Sequence, residues 1–173
     1  LSVERTAVIR NVGSGGLAVA GLIESDHPLL TAVNTTVSAN AEPQIDVELG
    51  AKMALVNTTI SGASAIHVSD DTSDDSTAIE LTNALVVGTC YVAADASVVT
   101  HGGNLESPGN TCSLVDATDQ VAVSNPAIGA LQNNGGFTQT HALARGSPAI
   151  GAGVDAGCPA TDQRGITRPA PAS

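Results

Sequence analysis

A short motif that recurs along the chain constrains its fold more than any other feature of the sequence. Residues 32–38, AVNTTVS, recur almost unchanged as residues 55–61, LVNTTIS. Five asparagines follow the same rhythm, and they are Asn11, Asn34, Asn57, Asn83 and Asn104. The period of about 21 to 26 residues is typical of solenoids, in which each repeat forms one coil and buries its apolar face against neighbouring coils.

Short β-like segments lie between these asparagines. Residues 44–49, QIDVEL, alternate polar and apolar side chains strictly, which is the pattern of a strand with one buried face. Briefer apolar runs lie at residues 17–20, 65–68 and 91–93, and Gly, Ser, Asn and Asp fill the gaps as turns require. The sequence therefore predicts an all-β fold, a right-handed parallel β-helix (β-solenoid) of about four to five coils over residues 1–105.

The last third of the chain breaks this rhythm. Residues 106–173 are rich in Gly, Pro, Ser, Asn and Ala, with short apolar pieces such as residues 120–123 and 127–131. The strand edges of a final coil need covering, because they would otherwise stay unpaired. We therefore expect an irregular C-terminal cap region over residues 106–173 that covers the last coil and packs on the solenoid within a single domain.

The core of such a fold has to be built from small side chains. The chain is 42% hydrophobic but has one Phe, one Tyr and no Trp, so stacked rows of Val, Ile, Leu and Ala must fill a thin interior. The net charge of −11, with Lys52 as the only lysine, argues against a nucleic-acid partner, which needs clustered basic residues. No apolar run reaches the roughly 18–20 residues of a membrane-spanning helix. Because the chain begins at Leu1, we expect any export signal to have been removed or to lie outside it.

The repeated asparagines suit the corners of stacked coils. Asn tolerates the left-handed backbone conformation that a corner needs, and coils about 4.8 Å apart bring successive amides into hydrogen-bonding range. We therefore predict a ladder of all five. A second interpretation is N-glycosylation, because Asn34 and Asn57 each begin an Asn-Thr-Thr sequon. The ladder is the favoured interpretation, since an inward-turned amide cannot carry a glycan.

Three cysteines indicate one disulfide and one remaining thiol. Cys90 and Cys112 flank a plausible loop, and a bond between them would stabilise the fold by about 3 kcal/mol on loop-entropy grounds. Cys158 is then left without a partner in this chain. The alternative is that all three are free buried thiols.

Four carboxylates cluster in the insert that makes one repeat longer than its neighbours, and they are Asp70, Asp71, Asp74 and Asp75. Loops rich in oxygen donors hold calcium, so a weak calcium site is one interpretation. The EF-hand pattern is absent, and a solvated acidic loop is the favoured interpretation. No other cofactor is expected.

The four histidines form neither an HxH nor an HExxH zinc motif. Once the coils stack, however, Asp46 or Glu48 could neighbour His67, an arrangement that would suit a polysaccharide lyase or hydrolase. Sugar platforms need aromatic faces, and only Tyr91 and Phe137 are present. An enzyme of this kind is therefore the minority interpretation.

Three segments of the C-terminal third are distinctive in combination: residues 135–143, GGFTQTHAL; residues 146–150, GSPAI; and residues 158–165, CPATDQRG. Together with the asparagine coils, they resemble bacterial right-handed parallel β-helix surface proteins with a "choice-of-anchor" C-terminus. Two departures stand out. Gly151 replaces the usual Asp, and the chain ends after residues 169–173 without the CDIGA-type piece that normally follows. The resemblance implies an exported, cell-surface or extracellular protein and supplies no catalytic residues.

These observations predict a non-catalytic extracellular or cell-surface structural protein. The expected partner is a second copy, which would stack head to tail into a filament, because the chain has almost no lysine to blunt its strand edges. The alternative is a monomeric adhesin or passenger fragment that binds surface glycans or other cell-surface proteins.

Overall fold

A computed structural model describes residues 1–13, 15–21, 30–70 and 77–168. These residues form strands, turns and bends, and none of them belongs to a helix long and apolar enough to cross a membrane. The strands stack in parallel into a β-solenoid of about three turns. The predicted all-β solenoid is confirmed.

Fourteen strands are described, and each turn of the solenoid contributes two or three of them. In chain order they are β1 (Ser2–Glu4), β2 (Ala7–Ile9), β3 (Leu17–Ala20), β4 (Leu30–Val33), β5 (Thr36–Ser38), β6 (Ile45–Glu48), β7 (Lys52–Val56), β8 (Thr59–Val68), β9 (Ala78–Thr82), β10 (Leu85–Val92), β11 (Ser97–Thr100), β12 (Leu105–Ser107), β13 (Ile128–Gln132) and β14 (Thr140–Leu143).

Two parallel sheets form the walls. The first sheet has the order β1-β4-β7-β9-β11, and the second has the order β12-β10-β8-β5-β2. Strands β3 and β6 extend the second sheet, because β6 pairs with both β3 and the long strand β8. Strands β13 and β14 form a separate antiparallel pair.

The number of turns, about three, is slightly lower than the four to five coils predicted. The last turn holds only β11 and β12 before the chain leaves the sheets. Residues 22–29 of the first turn lie outside the described part of the chain. The turns between the two ends are those of β4–β6, β7–β8 and β9–β10.

Rows of aliphatic side chains run along the interior, with one member from each turn. In the first sheet, Leu30, Met53 and Ile79 are aligned in register and are at most 4% exposed. In the second sheet, one row consists of Val8, Val37, Ile60 and Val86, followed by Glu106. Burial of these rows against each other is the main favourable contribution to folding, because it removes their apolar surface from water.

Residues 108–123, which we call the end cap, cover the second sheet at the last turn. The backbone N–H of Glu106 donates to Gln120 O, and that of Val123 donates to Glu106 O. The carboxylate of Glu106 is fully buried at the end of its apolar row. It accepts hydrogen bonds from the backbone N–H groups of Thr111 and Cys112, so both of its buried oxygens have a partner.

Residues 126–168, which we call the lateral segment, run along the side of the solenoid. Gln163 Nε2 donates to Thr6 O in the first turn over 2.8 Å, and His141 Nε2 lies 2.9 Å from Ser38 Oγ in the second turn. The region predicted as a cap packed on the solenoid, residues 106–173, thus has two parts: residues 108–123 cover the second sheet at the last turn, and residues 126–168 pack along the side. Residues 169–173 lie outside the described part.

Candidate functional site

Three of the five predicted ladder residues share one corner of the solenoid. Asn34, Asn57 and Asn83 follow aligned strands of the first sheet, with backbone φ values of 48°, 50° and 52°. These values lie in the left-handed region, which Asn occupies more readily than most residues with a Cβ. Asn83 Nδ2 lies 3.5 Å from Asn57 Oδ1. The structure thus places these three in one column.

The other two asparagines lie elsewhere, so the five-residue ladder is corrected to three. Arg5, with a φ of 51°, takes the corner of the first turn, and Gly103 takes it in the last turn. Asn11 lies one corner further on, where it donates to Asn40 Oδ1. Asn104 is buried just after the corner. The spacing of the asparagines along the chain does not predict which of them share a corner, because the loops differ in length. The alignment of the strands is set instead by which of their side chains are buried.

The corner amides bind the lateral segment. Asn34 Nδ2 donates to Thr161 O over 2.9 Å, and Asn34 Oδ1 accepts from the guanidinium of Arg168 over 2.7 Å. Asn83 makes a paired contact, in which its Nδ2 donates to Val154 O and its Oδ1 accepts from Val154 N–H. Asn34 is only 1% exposed, so a glycan on its amide would displace the lateral segment.

The structure joins Cys90 and Cys112 in a disulfide. Cys90 continues the interior row that contains Ile66, and Cys112 is fully buried in the end cap. The bond therefore ties the wall of the fourth turn to the end cap. Cys158 is a free, half-buried thiol on the lateral segment, and Asn57 Nδ2 lies 3.6 Å from its sulfur.

Most of the predicted calcium loop lies outside the described residues, since Asp71, Asp74 and Asp75 belong to the insert at residues 71–76. Asp70 is described and is 4% exposed. Its Oδ2 accepts a hydrogen bond of 3.0 Å from Thr77 N–H, so the contact joins the two residues that flank the insert. Calcium binding here stays a prediction.

A line of polar side chains crosses the outward face of the second sheet. Asp46 on β6, His67 on β8 and Tyr91 on β10 are aligned in register. Asp46 Oδ1 lies 2.8 Å from His67 Nδ1, and the His67 ring stacks on Tyr91 with centroids 5.0 Å apart and planes 12° apart. Glu48 follows Asp46 on the same face of β6. We call these four residues the polar row.

The polar row has a donor set that can hold a proton or a cation. One donor atom each from Asp46, Glu48 and His67 lies within 4.8 Å of the others, and within the described ranges no other three His, Cys, Asp or Glu residues come as close. The side chains of His67 and Asp46 are 32% and 27% exposed, so solvent and solutes reach them. A second His–carboxylate pair, His101 and Glu80, lies on the first sheet with a contact of 3.3 Å.

A cleft of about 990 Å³ separates the corner from the lateral segment. Asn57 and Thr59 line it on the solenoid side, and His141 and Cys158 line it on the other. His141 is held in place because its Nδ1 lies 2.7 Å from Gly129 O and its Nε2 contacts the second turn. The ring therefore has a structural contact on each nitrogen.

Asp162 organises the end of the lateral segment. Its Oδ2 accepts from the guanidinium of Arg164 over 2.7 and 2.9 Å, and its Oδ1 accepts from the backbone N–H groups of Arg164 and Ile166. Burial alone would raise the pKa of Asp162. The hydrogen bonds and the charge of Arg164 outweigh burial and lower this pKa below its usual value.

The sequence did not reveal the roles of two residues in these contacts, Glu106 and Tyr91. Glu106 is a charged residue where the aligned residue of the preceding turn, Val86, is apolar. A charged residue at an apolar position of the repeat was the sequence signal that this end of the row is covered. Tyr91 was weighed only as a sugar platform, and its stacking on His67 follows from the register between β8 and β10.

Comparisons of the chain with protein-family models, with curated proteins and with solved structures found no match. The fold is therefore established by the strand pairing, and function has to be argued from the residues themselves.

Proposed function

We propose that this protein is a non-catalytic structural protein of the extracellular space or bacterial cell surface, and that its copies stack head to tail. The motifs at residues 135–143, 146–150 and 158–165 support this location, through their resemblance to the "choice-of-anchor" group. The observation that carries the assembly is the open first sheet. Among the described residues, β1 and β11 each have a strand partner on one side only.

The open edge of β1 offers unused backbone groups. Thr31 N–H donates to Leu1 O, and Ser2 is the residue aligned with Thr31, so the N–H and C=O of Ser2 point away from β4. The apolar interior is also incomplete at this edge. Val3 is half-buried, whereas Ala32, aligned with it in the next turn, is fully buried. A further strand laid on β1 would pair these groups and cover this side chain.

Among the described residues, the charges of the two ends differ. In the first turn, Arg5 and Arg10 outnumber the one described acidic residue, Glu4. The end cap contains Asp116 and Asp119 and no basic residue. Charge complementarity favours contact between unlike ends over contact between like ends. A contact of this heterologous type propagates into an open filament unless a rotation closes it into a ring.

The test is the assembly state of the full chain across protein and salt concentrations. We expect oligomers that lengthen with protein concentration and weaken with salt, measured by sedimentation velocity and negative-stain microscopy. Ser2→Pro removes the outward N–H and should leave monomers, whereas Ser2→Ala keeps it and should still assemble. A wild-type chain that stays monomeric under all conditions would contradict stacking, and glycan binding by that monomer would favour the adhesin alternative.

A polysaccharide-processing activity is the second candidate, favoured by the hydrogen-bonded pair of Asp46 and His67 beside the exposed ring of Tyr91. A His–carboxylate pair can accept a proton from a substrate, and a stacked aromatic ring offers a face to a sugar. Turnover of an acidic polysaccharide that disappears in Asp46→Asn would establish this activity and overturn the non-catalytic proposal. No turnover over a panel of such polymers would leave the structural role as the better account.

A further inference from the structure

We propose that Asp46, Glu48 and His67 of the polar row bind a divalent transition-metal ion with the ligand preferences of zinc. The site is neither part of the proposed stacking contact nor dependent on it. It lies on the outward face of the second sheet, away from the β1 and β11 edges of the first. Two carboxylates and one imidazole supply three protein ligands, and water completes the coordination.

The backbone register brings the ligands together. Asp46 and Glu48 point to the same face because side chains alternate along β6, and pairing of β6 with β8 places His67 directly beside Asp46. The 2.8 Å between Asp46 Oδ1 and His67 Nδ1 is a hydrogen-bond contact, and a tetrahedral ion with bonds of about 2.0–2.2 Å would separate these two atoms to about 3.4 Å. The ion would replace the proton that these two atoms share.

Neighbouring side chains preorganise the site and leave it accessible. Tyr91 stacks on one face of His67 and restrains the plane of the imidazole ring. On the other side of β6, the residues aligned with Asp46 and Glu48 are Ala18 and Ala20. Within the described part of the chain, these short side chains leave space next to the carboxylates for an ion and its waters.

Charge and ligand chemistry identify the class of ion. The carboxylate of Glu48 has no hydrogen-bond or ion-pair partner within the described part of the chain, so it is available. Two carboxylates balance the charge of a divalent ion, and a chain with a net charge of −11 attracts cations. An imidazole nitrogen suits zinc, copper or nickel, whereas calcium prefers a shell made entirely of oxygen.

The pair of His101 and Glu80 provides a matched control in the same molecule. It has the same residue types on a neighbouring parallel sheet, with a contact of 3.3 Å, but no third ligand among the described residues. A metal site that needs three ligands should therefore form at His67 and not at His101.

The experiment titrates zinc into the full chain after chelator treatment, by calorimetry and by NMR of the histidine side chains. We expect one zinc per chain at this site, a shift of the His67 ring signals and no shift of the His101 signals. His67→Gln and Glu48→Gln should each weaken binding by more than about tenfold, and His101→Gln should leave it unchanged. Excess calcium should not displace the zinc.

The opposite results would overturn the site. These are zinc affinity unchanged in His67→Gln, an equal loss in His67→Gln and His101→Gln, or no zinc-induced shift of the His67 signals. Thermal unfolding of each variant without metal shows whether it is folded. Glu48→Gln is the safer variant, because the Glu48 carboxylate has no partner to lose among the described residues.

Discussion

The walls of the solenoid and the lateral segment are held by different kinds of contact. In the walls, Leu55 and Ile60 are fully buried, and backbone hydrogen bonds join every turn to the next. In the lateral segment, Leu143 and Ile150 are 42% and 58% exposed, and individual side chains such as Asn83 make the connections. Each such hydrogen bond contributes about 1 kcal/mol net, so the lateral segment should detach before the walls unfold.

The largest expected effect comes from a cavity in the wall. Ile60→Ala removes a fully buried side chain from an interior row and should lower the free energy of unfolding by about 4 kcal/mol. Ile150→Ala, in the lateral segment, should change it by less than about 0.5 kcal/mol, because the side chain is mostly exposed. Urea denaturation measures both. Equal effects would mean that the two regions share one core.

Loss of the disulfide comes next. The double variant Cys90→Ala with Cys112→Ala should reduce stability by about 3 kcal/mol, because the bond closes a loop across a sequence separation of 22. Denaturation under non-reducing conditions measures the loss. Cys158→Ala is the control, since this thiol makes no disulfide, and it should have a much smaller effect. A similar loss in both proteins would contradict a stabilising role for the bond.

Substitution of a corner asparagine should separate the two regions. Asn83→Gly keeps the left-handed backbone and removes both side-chain hydrogen bonds to Val154. A loss of about 1–2 kcal/mol makes opening of the lateral segment roughly 5–30 times more frequent. Limited proteolysis within residues 126–168 should rise accordingly, while hydrogen exchange in β7 and β8 stays slow. Asn83→Ala should be worse, because Ala also pays the steric cost of the left-handed conformation. Hydrogen exchange that accelerates equally in the walls and in the lateral segment would show that the two regions open together.

The smallest effect is expected from lowering the pH until Asp162 is protonated. The pKa of Asp162 is lowered in the folded chain, so its stabilising contribution is complete above its ordinary pKa of 3.8 and is lost as the pH falls through the lower folded value. The amide signals of Arg164 and Ile166 should therefore move towards their unbonded positions below about pH 4, measured by NMR. Asp162→Asn should abolish this step. A titration of these amides near pH 6 would assign them to another group.

The fold of the walls was predictable because it rests on repetition. The motif around Asn34 recurs around Asn57, and residues aligned by that repeat do lie above one another in adjacent turns. The position of the lateral segment was not predictable, because its contacts with the corner join residues far apart in the chain, such as Asn83 and Val154. No local pattern encodes such a contact.

The polar row shows how far sequence reasoning reached at the candidate site. Alternation along residues 44–49 placed Asp46 and Glu48 on one face, and stacking of coils suggested His67 as a neighbour. A zinc site of the proposed kind has no HxH or HExxH spacing, because a solenoid brings together side chains from different turns. The separation of Asp46 and His67 along the chain has meaning only once the strand register is known.

The sequence by itself determined that the chain forms stacked coils of β-strands with a thin aliphatic interior. Each repeat has the same apolar positions, and these can be buried only against the next repeat. Tertiary structure alone decided which asparagines share a corner, that Glu106 and the end cap close the second sheet, and that the lateral segment lies along the side. The physical reason is that burial of strand side chains sets the register, whereas loops of variable length carry the insertions. A nearly constant period therefore predicts the walls well and the residues between them poorly.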